Sequence, residues 1–74
     1  MNTKEITDLG WTFLRNGWGS ETKIYQIQKG EGYRLILSDT HMVIQKPSGH
    51  TIFDGYIETK EEMKVLMNQL RIPR

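Results

Sequence analysis

The side chains best suited to chemistry are two histidines, His41 and His50, each with a carboxylate nearby. Asp39 precedes His41 by two positions, and Asp54 follows His50 by four. Two imidazoles and one carboxylate would make a reasonable zinc ligand set. Here the histidines flank a predicted hairpin, at a spacing that matches no metal motif. The expectation is therefore two strand-end histidines hydrogen-bonded locally or to water, with no metal and no cofactor. Ser38 and Asp39 stand next to His41, as a nucleophile and orienting acid would. Nucleophilic catalysis needs the three groups aimed at one point. A Ser-Asp pair in a turn is explained by side-chain to backbone bonding.

Paired carboxylates for acid–base work would come from Asp54, Glu58, Glu61 or Glu62. Glu61 and Glu62 are accounted for by a helix start. Gly30-Glu31-Gly32 resembles a phosphate-binding turn, but such a turn must lead directly into a helix N-terminus. A strand follows it here, so hairpin glycines are the better reading. The expectation is a protein that is not an enzyme.

Nucleic-acid binding is the stronger alternative. Open sheets bind single strands by stacking bases on aromatic rings beside basic side chains. Trp11, Trp18, Tyr25, Tyr33 and Tyr56 supply rings, and Lys23, Lys29, Arg34 and Lys46 supply charge. Tyr25 and Tyr33, however, fall on the predicted core face. The chain has 10 basic and 9 acidic side chains, a net charge of +1, so the electrostatic term that dominates such affinity is missing.

The elements that position these residues are legible. Seventy-four residues make a single domain, 1–74, with one core. Charged residues at 26% and hydrophobic ones at 36% suit an ordinary folded domain and argue against disorder. There is no cysteine, hence no disulfide and no thiolate site, which favours a reducing compartment. No apolar run reaches the roughly 20 residues of a membrane span. Met1-Asn2-Thr3-Lys4-Glu5 lacks the features of a signal peptide, and a cytoplasmic location is expected.

Ile6, Leu9, Phe13 and Leu14 fit one helix face, whereas Leu9, Trp11 and Phe13 alternate as on a strand. Trp and Phe favour the strand. The reading is a strand over 9–15 after a lead-in or short helical turn at 3–8. Residues 16–20 are a loop. Strands follow at 22–28, 33–38, 41–46 and 51–57. Turns lie at Lys29-Gly30-Glu31-Gly32, Ser38-Asp39-Thr40 and Pro47-Ser48-Gly49. A helix opens at Thr59, where Thr59 and Glu62 form a capping box and Glu61 and Glu62 suit the helix dipole. Met63, Leu66, Met67 and Leu70 form one apolar stripe. Ile72-Pro73 ends the helix.

The expected fold is α+β: an antiparallel meander of four to five strands with one C-terminal helix across one face. One helix covers one face, yet both faces carry apolar residues. Tyr25, Ile27, Tyr33, Leu35 and Leu37 form the expected core set. Ile24, Ile36, Met42, Ile44 and Ile52 form the second set and are the interface candidates. Uncovered apolar faces usually mark interfaces. The expected function is a non-enzymatic protein-interaction or regulatory module of the small bacterial or phage accessory type. Its partner is itself, as a homodimer, or another protein; a single-stranded nucleic-acid binder is the alternative, and no membrane is involved.

Overall fold

Short turns cut the middle of the chain into strands too brief to stand alone, and each is stabilised by its neighbours. A computed structural model describes residues 1–19, 21–27 and 32–72. In chain order these form α1 (Thr3–Asp8), β1 (Trp11–Asn16), β2 (Thr22–Ile27), β3 (Arg34–Ser38), β4 (His41–Gln45), β5 (Thr51–Tyr56) and α2 (Lys60–Gln69). The strands make one antiparallel sheet in the order β1-β2-β3-β4-β5, a plain meander. The expected α+β class is observed, with α1 added in front. Ser20, Gln28, Lys29, Gly30, Glu31 and Pro73, which figure in the expected loop, strand end, hairpin turn and helix stop, lie outside the described residues.

The ambiguous start resolves into both elements. Asn2 caps α1: the Glu5 N–H donates to Asn2 Oδ1 at 2.9 Å, and the Asn2 N–H donates to Glu5 Oε1 at 3.1 Å. Gly10, at φ 101°, turns the chain out of the helix, and the strand begins at Trp11, not at residue 9. Six residues are too few to hold a helix by propensity. Fully buried Ile6 docks α1, and a 3.1 Å hydrogen bond joins Thr3 Oγ1 to the Tyr25 hydroxyl.

At α2 the predicted capping box is present. The Glu62 N–H donates to Thr59 Oγ1 at 3.2 Å, and the Thr59 N–H donates to Glu62 Oε1 at 3.1 Å. Met63 and Met67 are fully buried, while Leu66 and Leu70 are half-buried against the same core. The stripe thus docks through its methionines. Trp11 lies beneath, and its Nε1–H donates to Met67 Sδ at 3.4 Å, giving the buried indole its partner. The helix ends at a left-handed residue, Arg71 (φ 56°). The Ile72 N–H returns to the Met67 carbonyl and the Arg71 N–H to that of Asn68, at 3.0 and 3.2 Å. This closure turns Ile72 into the core.

Both helices cover one face of the sheet. Beneath them lie Trp11, Tyr25, Ile27, Leu35, Leu37, Met42 and Ile44, all buried. Burial of each such side chain stabilises the fold by roughly 1.5–3 kcal/mol. Three of the expected interface residues belong to this side. Met42 and Ile44 are 0% exposed, and the register shows why: Leu37 pairs with Met42 and Leu35 with Ile44. The β3–β4 connection is a two-residue turn, Asp39-Thr40, which sets Ser38 opposite His41 and carries the core face of β3 onto Met42 and Ile44. Ile52 is the third correction. Ile44 pairs with Phe53 but Gln45 with Thr51, so Ile52 is the unmatched residue of a bulge in β5 and packs against the core.

Candidate functional site

Among the described residues, no helix lies on the other face of the sheet. Its side chains line up in three rows across the strands, set by the register. The first is Thr12, Gln26, Arg34, Gln45 and Thr51. The middle row is Arg15, Ile24, Ile36, Val43 and Asp54. The third is Gly17, Thr22, Ser38, His41 and Tyr56, with the Gly17 N–H bonded to the Thr22 carbonyl at 2.7 Å. Ile24 and Ile36 therefore stand where alternation placed them, half-buried and directly paired. Val43 completes their row in place of Met42 and Ile44. At the β1 edge, Leu14 is the unmatched residue of a second bulge and is 39% exposed.

Val43 and Leu14 were missed as surface residues. Val43 was recoverable from the turn: a two-residue connection between 38 and 41 pairs 36 with 43. A bulge at Leu14 leaves no comparable mark in the sequence.

His41 is brought to Asp54. Its Nε2 donates to Asp54 Oδ1 at 2.6 Å, between side chains that are 42% and 64% exposed. The Tyr56 ring lies against the imidazole, centroids 5.3 Å apart. His50 is elsewhere, bonded through Nδ1 to Ser48 Oγ at 3.0 Å within the Pro47-Ser48-Gly49 turn. The structure does not bring the two histidines together. Asp39 stays in the β3–β4 turn with φ 58°. Ser38 pairs with His41 in register, but its hydroxyl bonds Thr22 Oγ1 at 2.9 Å. Among the described residues no three His, Asp or Glu side chains converge as a metal site requires. Glu61 and Glu62 sit in the first turn of α2, with Glu62 committed to the cap. The arrangement offers an exposed imidazole–carboxylate pair, to which no hydroxyl is bonded among the described residues.

The aromatic candidates divide by burial. Trp11 and Tyr25 are core, and Tyr33 packs half-buried against it. Trp18 is 96% exposed and Tyr56 72%. Lys23 reaches across the covered side, where its Nζ donates to Thr3 Oγ1 at 3.5 Å. Among the described residues, Arg15 and Arg34 stand in the rows of the open face. Among the described residues, no helix is long and apolar enough to cross a membrane.

Comparison of the chain with protein-family models, with curated proteins and with solved structures finds no match.

Proposed function

We propose that this protein is a non-enzymatic interaction module that works through the open face of its sheet, by self-association or by capping a partner protein. The observation that carries this reading is the row Ile24, Ile36 and Val43. These β-branched side chains stand side by side in the middle of a face that neither helix covers. Polar residues surround them, as a rim surrounds an interface core. Exposed Tyr56 and Leu14 extend the apolar surface towards opposite edges. The cysteine-free chain accords with a cytoplasmic setting.

The test is Ile36→Lys. A lysine here should leave the far-UV spectrum and the cooperative melt intact, because the side chain is outside the core. It should abolish association, since a buried charge without a partner is costly. Light scattering at tens of micromolar reads self-association, and a pull-down against wild-type bait reads partner capture. Loss of the folded state would put the core on the other side. Unchanged association would place the interface elsewhere.

Exposed Trp18 and Tyr56, with Arg15 and Arg34, favour a second reading as a single-strand binder. Oligonucleotide binding that weakens steeply with salt would support it over the first.

A further inference from the structure

The three rows of the open face have a symmetry that selects an occupant. β3 is the central strand of the sheet, so β2 and β4 flank it and β1 and β5 lie at equal distance beyond. About β3 the middle row reads Arg15, Ile24, Ile36, Val43, Asp54: a cation and an anion at its ends, each about 10 Å from the centre. The first row reads Thr12, Gln26, Arg34, Gln45, Thr51, the same residue types outward in both directions. The third ends in Gly17 on one side and Tyr56 on the other.

We propose that a second copy of the chain covers this face, in a face-to-face dimer whose two-fold axis runs along β3. The proposal rests on the open-face reading above and specifies its partner and geometry. Rotation about that axis keeps each row in place and reverses it. Arg15 of one protomer then meets Asp54 of the other, and the pair occurs twice. Ile24 meets Val43, and Ile36 meets its own copy on the axis. Gln26 meets Gln45, an amide pair able to donate and accept in both directions. Tyr56, 72% exposed, meets Gly17, where Thr22 leans over a position without a side chain. Such packing belongs to the aligned class of sheet-on-sheet arrangements, with the strands of the two copies running in nearly the same direction.

The pattern also rejects the alternative face-to-face axis. A two-fold running across the strands along the middle row would set Arg15 on Arg15 and Asp54 on Asp54, and like charges in contact oppose association. In the chosen arrangement the one like pair is Arg34 with its copy. Arg34 is exposed at the end of β3, where its long side chain reaches solvent at the rim. Asp54 meets the incoming guanidinium with His41 Nε2 already on Oδ1, so its carboxylate bridges the two donors.

Charge reversal by analytical ultracentrifugation tests the geometry. Wild type should sediment as a dimer at tens of micromolar. Arg15→Glu alone and Asp54→Arg alone each create two like-charge contacts and should raise the dimer Kd about a hundredfold or more. Mixing the two variants should restore association as a heterodimer, because both contacts then pair opposite charges. Circular dichroism checks that each variant is folded. A monomeric wild type, or single variants that dimerise normally, overturns the proposal. If Ile36→Lys dissociates the dimer but the mixture gives no rescue, the axis is wrong while the open-face reading stands. If Ile36→Lys leaves the dimer intact, both fall.

Discussion

The covered and open faces of the sheet are made by the same five strands, residue by residue in alternation, and differ in what lies over their apolar side chains. The covered face carries Trp11, Tyr25, Ile27, Leu35, Leu37, Met42 and Ile44, met from above by Met63 and Met67. The flexible methionines fill irregular space between a twisted sheet and a helix. The open face carries Ile24, Ile36 and Val43, stiff side chains that fit a pleated surface even when half exposed. Residue type does not separate the two, since Ile27 and Ile44 are buried while Ile24 and Ile36 are half-buried. Register does. An apolar side chain on this sheet therefore says little about stability until its face is known.

The sharpest way to break that distinction uses two neighbours on β3. Leu35→Ala, on the covered face, should cost about 2–5 kcal/mol. Ile36→Ala, one residue on, should cost less than half as much in dilute protein, because its site is already partly in water. Urea unfolding of both variants measures the difference. Equal losses would mean that the open face is as much a core as the covered one.

That contrast also marks how far the sequence carried. The meander, the Thr59–Glu62 cap and the docked stripe were legible because each rests on local spacing. Ile24, Ile36, Leu35 and Leu37 were assigned to their true faces by alternation within a strand. Met42 and Ile44 were not, because their face depends on how β4 joins β3. Alternation fixes relative faces inside one strand; the two-residue turn fixes them between strands. Ile52 failed for another reason. A bulge inserts one residue into the count, and its position depends on pairing with β4. The His41–Asp54 pair was hidden likewise, since it joins two strands across the register and not two nearby positions.

A smaller effect sharpens the picture of what covers the core. Met63→Ala should destabilise by about 2–5 kcal/mol, as for other fully buried side chains. Leu66→Ala, at the half-buried flank of the same helix, should lose about 1–2 kcal/mol, since only part of its area leaves water. Thermal melts rank the two. A reversed order would mean that α2 is rotated about its axis from the position described.

The smallest expected effect is on the open face. His41→Gln removes an exposed pair whose worth to folding is no more than about 1 kcal/mol. Its melting temperature should stay within a few degrees of wild type. A large loss would show that the His41–Asp54–Tyr56 corner supports the fold.

The two bulges have a consequence of another kind. An open meander ends in two unsatisfied strands, and each is a template on which a further chain can continue the sheet indefinitely. In this protein both outer strands carry an unmatched residue, Leu14 in β1 and Ile52 in β5. Each interrupts the regular alternation of donors and acceptors that an incoming strand would have to match. Strand addition is thereby obstructed at both ends, and the edges of the sheet offer an endless polymer no regular template.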